Sequence, residues 1–353
     1  MAWPPDVSVP RAVLAALGVA LILAVVVAAS TAAASFSLFN PAWNGATALQ
    51  AVASDAGART TVADSVTAYP TTNASDTIAV VLAPEDPYTP AQRERLRRFL
   101  AAGGTLLVAA DTGGVPNRLL AALNARARLD GGRLRDERRH YRGPALPIAT
   151  TVAETPLMAG VDRLTLNYAT PVDPQGATVL ARTSPYAYVD ADGDTSLDDA
   201  EPMRAYPILT REPVGAGTVL VLGDPSVFIN AMLDQPDNRA WVQTLATRYD
   251  RVLLDTSHTT ATPPLAAAVL AIRASPLLQA VLAVLGIGLV LGTGRDRLRR
   301  RLAAWRRRPT PPELRAADVR AVVRQRHPDW DGDRVDRVVE GIIRQRREDE
   351  GDE

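Results

Sequence analysis

The chain has 353 residues, is 47% hydrophobic, carries 39 cations against 39 acids, and contains neither Cys nor Lys. Disulfides, thiolate nucleophiles and cysteine-held zinc or iron–sulfur centres are thereby excluded, as are Schiff-base and phosphate-loop lysines. The balanced charge hides a regional sorting: residues 35–263 hold 20 Arg against 25 acids, and residues 294–353 hold 17 Arg against 13. A membrane between the two regions would produce such a split. Arg without Lys, together with abundant Ala, Asp and Val, points to a GC-rich genome, and the acidic loops are compatible with a halophilic archaeon.

Residues 1–11 are polar and are expected to be a cytoplasmic N-terminus. Residues 12–34 follow without a charge. At about 1.5 Å per residue they suffice to cross a bilayer core of about 30 Å, which predicts a first transmembrane helix. A cleaved signal peptide is the alternative, since Ala32, Ala33 and Ala34 resemble a small-residue cleavage site. Arg11 before the apolar run favours a cytoplasmic start.

From Ser35 the pattern is that of a folded domain, expected to span residues 35–263 outside the cytoplasm. Residues 44–56 read as a helix stopped by Gly57, and a short strand follows at 59–62. The run Thr77–Leu82 (TIAVVL) is continuously apolar and of strand length, as in a strand buried on both faces. Thr89 is placed to cap a helix with Pro90 at its first position. That helix reaches about Ala102 and is closed by Gly103 and Gly104. Residues 105–110 (TLLVAA) form a second buried strand, and 116–123 start another helix. Such alternation predicts an α/β fold with a doubly wound, mostly parallel sheet. Residues 131–146 are arginine-rich and read as an irregular, solvated excursion. Short strands are expected at 164–169, 178–181 and 186–189, and a strong one at Gly217–Leu222 (GTVLVL). An amphipathic helix at 239–249 packs back on the sheet.

Ligands of such sheets lie beyond the carboxyl ends of the strands. Three loops there carry Glu85 and Asp86; Asp111 and Gly113; and Gly223, Asp224 and Ser226. If their strands are parallel neighbours, Asp111 and Asp224 face one crevice. The same residues also suit helix caps and turns. No GxSxG, GxGxxG or GxxxxGK[ST] pattern occurs, and His140, His258 and His327 lie in three separate regions. No catalytic residue is assigned.

A sharper pattern is DADGDTSLDDAE at residues 190–201. Asp190, Asp192, Asp194, Ser196, Asp198 and Glu201 occupy positions 1, 3, 5, 7, 9 and 12, the oxygen-ligand spacing of a calcium loop. Gly193 stands at position 4 where that loop wants glycine at 6, and the flanks read as strands. Calcium is the one cofactor this reading admits, and the alternative is an acidic surface hairpin.

Residues 264–274 (PLAAAVLAIRA) are apolar apart from Arg273, whose charge places the segment at the membrane interface. Residues 275–294 (SPLLQAVLAVLGIGLVLGTG) predict a second transmembrane helix, and the arginines at 295–301 put its end in the cytoplasm. The region 295–353 thus begins with a basic juxtamembrane segment. It continues as a helical hairpin at 313–326 and 331–346, with Trp330 at the turn. Its arginines read as a positive-inside signal and not as a nucleic-acid surface, so no nucleic-acid partner is expected.

Four stretches carry a family resemblance: residues 39–45 (FNPAWNG), 188–194 (YVDADGD), 223–231 (GDPSVFINA) and the entry to the second span at 263–278. Through them the chain resembles the DUF4350 membrane proteins of haloarchaea. The resemblance implies a flavodoxin-like sheet similar to class I glutamine amidotransferases, whose nucleophilic cysteine this chain lacks. It also implies association with MoxR-type ATPases and DUF58 proteins in a membrane assembly. The resulting expectation is a two-pass membrane protein with both termini cytoplasmic, a non-catalytic binding or scaffold protein with protein partners. The alternative is an extracytoplasmic hydrolase using Asp111 and Asp224.

Overall fold

The computed structural model describes residues 9–259, 263–285, 287 and 315–349. The chain divides into two compact units, Met1–Pro276 and Leu277–Glu353.

The first unit opens with helix α1 (Val9–Ser30). Its long apolar side chains are exposed on every side, Leu14 and Leu21 by two-thirds or more. A helix apolar all round does not suit contact with water. After a loop, α2 (Thr47–Asp55) packs on the sheet through Leu49, Val52 and Ala53.

Five strands form the parallel half of one nine-stranded sheet: β1 (Arg59–Ala63), β2 (Thr77–Leu82), β3 (Thr105–Ala109), β12 (Gly217–Leu222) and β13 (Arg251–Asp255). Their order is β1-β13-β2-β3-β12. The apolar run of β2 is buried along its whole length because helices cover both sheet faces. Ile78, Val80 and Leu82 join the layer of α2 and of α5 (Pro236–Arg248), with Leu49, Trp241 and Leu245. Ala79 and Val81 turn to the other layer, built on α3 (Pro90–Ala101) and α4 (Gly114–Ala122) with Leu96, Phe99 and Leu119. Each fully buried aliphatic side chain contributes about 1.5–3 kcal/mol of transfer free energy. Thr89 caps α3 as expected: its hydroxyl accepts from Gln92 N–H while Gln92 returns a bond to Thr89 N–H.

The other half of the sheet is antiparallel. β11 (Pro207–Val214), β9 (Thr178–Thr183), β6 (Ile148–Val152) and β7 (Leu164–Thr165) extend it from β12. The expected α/β fold, with its parallel strands between helical layers, is present, and the four antiparallel strands extend the sheet beyond what the alternating pattern predicts. Tight connections such as Gly215 between β11 and β12 allow antiparallel pairing without a crossover helix. Two small ladders stand apart: β4 (Arg128–Leu129) with β8 (Val172–Asp173), and β5 (Arg133–Asp136) with β10 (Ala187–Asp190). The excursion at 131–146 is thus not irregular throughout. Leu134 is buried and strand β5 pairs with β10, so its arginines mask a strand whose apolar side is a single residue wide. The strand expected at 164–169 stops at Thr165, because the chain turns at Tyr168 with φ 55°.

Helix α6 (Pro264–Ala274) ends the first unit and packs along α1. The side chain of Arg273 lies outside what the structure describes. Helix α7 (Pro276–Leu285) follows Ser275. Among the described residues no single helix is long and apolar enough to cross a membrane; Pro264–Ile272 and Pro276–Leu285 pass only when taken together. The last residues of the expected second span, 288–294, and the whole arginine run at 295–301 lie outside the described residues.

The second unit contains the expected hairpin, α8 (Ala316–Arg326) and α9 (Gly332–Asp349). Val335 and Val339 are buried, Arg320 pairs with Asp336, and Trp330 stacks on His327 at the turn with ring centroids 4.0 Å apart.

Candidate functional site

Strands β3 and β12 are parallel neighbours, so the loops after them leave the same edge of the sheet. A pocket of about 610 Å³ opens there, lined by Phe36, Asp111, Arg133, Asn167, Tyr168 and Ser226 among others. Two of the residues expected from sequence, Asp111 and Ser226, therefore do share one cavity.

Asp111 is half-buried, and that burial raises its carboxyl above the ordinary range. A bond from its own backbone and the charge of Arg133 pull it partly back. No ion pair joins Asp111 and Arg133, and the Arg133 guanidinium lies 5.8 Å from the centroid of the Tyr168 ring. Asn167 Nδ2 donates to Ser226 Oγ at 3.3 Å. Two non-glycine residues of the lining, Phe36 and Tyr168, hold positive φ angles of 61° and 55°. Asn73, Ala83, Asn124, Gln175 and Thr195 share that conformation elsewhere in the chain, so it does not by itself mark the pocket.

Asp224 has a different part. It is fully buried, and its two oxygens accept from the backbone N–H groups of Ser226 and Asn167, both at 2.7 Å. Burial, helped by the nearby charge of Asp111, pushes its carboxyl up to about 7 against those two bonds and the Ser226 side chain. It ties the 167–168 turn to the β12 loop and does not line the pocket. Gly223 is required by a close approach, since a Cβ there would lie 1.9 Å from Thr170 O. Gly113 sits at the N-cap of α4, and a Cβ would meet Asn117 Nδ2 at 2.9 Å.

Glu85 and Asp86 are not brought to this pocket. Both are exposed, and their backbone N–H groups bond to His258 O. The reason is strand order: β13 inserts beside β2, so the β2 loop meets the chain leaving β13. A buried cluster lies there instead. Tyr69 Oη donates to Asp255 at 2.6 Å, Tyr88 stacks on His258 at 3.5 Å, and Ser257 Oγ lies 2.7 Å from His258 Nδ1. Burial lowers the His258 pKa.

In the acidic loop the ligand atoms of Asp190, Asp192 and Asp194 all lie within 4.8 Å of one another. Asp198 and Glu201 stand outside that cluster. Glu201 is buried and turned inward, its two oxygens accepting from Ala191 and Asp198 N–H. Asp194 accepts from Ser196 N–H, so the loop is closed by its own turns. The exposed Asp198 has its pKa raised by the charge of Asp194 first, then by slight burial and the charges of Asp192, Glu201 and Asp190.

Two of the sequence stretches singled out above prove to be in contact. Asn230 Oδ1 accepts from Ala48 N–H at 2.9 Å, its Nδ2 donates to Ala42 O at 2.7 Å, and its N–H donates to Gly45 O at 2.7 Å. Residues 39–45 and 223–231 thus form one corner that seats the start of α2. Residues 39–246 match the model of a domain of unknown function, DUF4350. The chain belongs to the DUF4350 family. Its shared corner is architectural: the Asn40, Asn44 and Asn230 amides close loops and contribute nothing to the pocket.

Among proteins of curated function none matches this DUF4350 chain. Solved structures give distant likenesses. The N-terminal domain of mmIFT52 is 19% identical, with a TM-score of 0.37 over 48% of this chain and 77% of that one. A beta-galactosidase from Bacillus circulans sp. alkalophilus is 18% identical, with a TM-score of 0.30 over 48% of this chain and 21% of that one. Another, from the Antarctic haloarchaeon Halorubrum lacusprofundi, is 18% identical, with a TM-score of 0.30 over 48% and 22%. The chain thus spans about a fifth of the galactosidases it matches. At such scores these likenesses carry no argument about activity.

The pocket residues not expected from the sequence are Phe36, Thr112, Gly131, Arg133, Asn167 and Tyr168. Arg133 was hidden in an arginine-rich stretch, and Asn167 and Tyr168 in what read as a strand. The one local signal was Phe36, three residues before the 39–45 stretch.

Proposed function

We propose that this DUF4350 protein is a membrane-anchored, non-catalytic binding or scaffold protein whose pocket at the carboxyl edge of β3 and β12 takes a polar ligand. The observation that carries the reading is the sealing of Asp224. With both oxygens engaged by backbone N–H groups, it has no free face toward a substrate. Among the described residues Asp111 is then the carboxylate that lines the cavity, which favours binding over acid–base hydrolysis by a carboxylate pair. The exposed apolar surface of α1, and the apolar pair α6 and α7, support anchoring to a bilayer at both ends of the domain. Protein partners in a MoxR- and DUF58-associated assembly, a glutamine amidotransferase-like fold and a haloarchaeal source belong to the same proposal and rest on the resemblance. A hard cation at Asp190, Asp192 and Asp194 is a second part of it, favoured by the convergence of those carboxylates.

The hydrolase alternative is tested directly. Full-length protein in detergent is assayed against chromogenic esters, amides, glycosides and phosphoesters, with Asp111→Asn alongside. No turnover is expected. Turnover that Asp111→Asn abolishes would replace the binding reading with the hydrolytic one.

A further inference from the structure

The nine-stranded sheet ends at β1, whose one strand neighbour is β13. Arg59 N–H donates to Asp250 O, and Ala63 O accepts from Thr256 N–H. In a parallel ladder the N–H and C=O of a given residue point to the same side, and the side alternates along the strand. Arg59, Thr61 and Ala63 therefore direct their backbone groups at β13, while Thr60 and Val62 direct theirs outward. Among the described residues those outward N–H and C=O groups have no partner.

They do not open onto a bare flank. A pocket of about 700 Å³ lies against this edge, lined by Thr60, Thr61, Val62 and Asp64 and also by Leu265 and Val269 of α6, among others. Three consecutive strand residues line it, so the pocket faces the strand's edge and not one face of the sheet. The result is a slot with a hydrogen-bonding wall, an apolar wall and one carboxylate.

We propose that this slot takes an extended peptide segment of a partner protein, added as a further strand beside β1. The chemistry of the walls selects that occupant. A strand supplies alternating C=O and N–H groups to Thr60 and Val62, whereas an alkyl chain leaves all of them unpaired. Alternate side chains of the added strand would rest on Leu265 and Val269, which favours small or branched apolar residues. Asp64 favours a cationic residue at the segment's end. Because α6 walls the slot, a single segment enters where the broad sheet edge of a second copy is obstructed. β1 has five residues, so the paired length is about 17 Å. The slot is separate from the pocket at Asp111, and its test does not depend on ligand binding there.

The probe is a fluorescein-labelled hexapeptide alternating Val and Thr with a terminal Arg, titrated into full-length protein in detergent and read by fluorescence polarisation. Saturable binding is expected, weakened about fivefold or more when alternate backbone nitrogens of the peptide are methylated. Val62→Pro removes an N–H that no described group accepts, so it should weaken binding to a similar extent. Because the Val62 side chain also packs against the core, its melting temperature should fall as well, and Val62→Ala, which keeps the N–H, serves as the control that loses the packing but keeps binding. Ala266→Trp fills the slot from the helix side and should abolish binding, a readout that stands if Val62→Pro fails to fold. Equal binding of methylated and unmethylated peptide overturns the proposal, as does the absence of saturable binding. Displacement by alkyl lipid combined with insensitivity to methylation would assign the slot to an amphiphile instead.

Discussion

Asp224 couples the integrity of the pocket to pH. Its carboxyl, about 7 when folded, ionises near 3.9 in an unfolded chain. A raised acid pKa means the folded state holds the proton more tightly. The stability it contributes is fully present below pH about 4 and is lost as pH rises through about 7. Asp111 is shifted in the same direction, chiefly by burial, and adds to the same window. His258 has the opposite sign: its pKa is lowered by burial, so its contribution is lost as pH falls through the folded value. Melting temperature measured from pH 4 to 8 should fall toward the upper end of the range, and Asp224→Asn should flatten that fall. The variant should also lose about 1–3 kcal/mol at pH 4, because an amide NH2 group replaces one acceptor facing a backbone N–H. An unchanged slope in Asp224→Asn would assign the pH dependence elsewhere. None of this was legible locally. The sequence offers Asp224 as a turn residue and Asp111 as a loop residue, and both readings are sound. Only burial, set by Thr170 and Asn167 folding over the β12 loop, separates a sealed carboxylate from an open one.

Elements determine what the acidic loop can do. It joins β10 to β11, both antiparallel strands, and not the two helices that flank a calcium hand. The strands hold Asp190 at the ladder's end opposite Arg133, while Glu201 folds inward to close the turn. The three clustered carboxylates repel one another, and a cation would relieve that repulsion. Calcium titrated into the full-length protein should release heat and raise the melting temperature, and Asp192→Ala should remove both effects. Heat that persists in Asp192→Ala would move the site off this loop. The strand-flanked character of the loop was readable from its neighbouring apolar runs. The inward turn of Glu201 was not, since it depends on backbone donors at Ala191 and Asp198 that exist only once the loop has closed.

At the scale of the whole molecule the apolar helices bear on where the domain works. The exposed apolar surface of α1 and the paired segments α6 and α7 are unsuited to water. If they anchor the domain at both ends, reporters fused after Val62 and after Trp305 should fall on opposite sides of the membrane. Signals from the same side would remove the two-pass arrangement and leave the DUF4350 domain to be explained without it. Opposite-side signals would mean that the β1 slot and the β3–β12 pocket are presented from a domain tethered at both ends, as the proposed assembly role requires.

By itself the sequence determined the short-range features. The continuous apolar runs of β2, β3 and β12 specify strands buried on both faces. The Thr89 capping box specifies the start of α3, and the valine spacing of α9 specifies the tail hairpin. These follow from side-chain period and local hydrogen bonding, which a few neighbouring residues express completely. The tertiary structure alone decided that β13 inserts between β1 and β2, that half the sheet runs antiparallel, and that β1 is left as an open edge. It likewise decided that Asp111 opens onto a pocket while Asp224 is sealed beneath it. Those outcomes depend on which distant strands pair. Pairing is selected by the burial of the whole sheet between two helical layers, a quantity that no single stretch of this chain encodes.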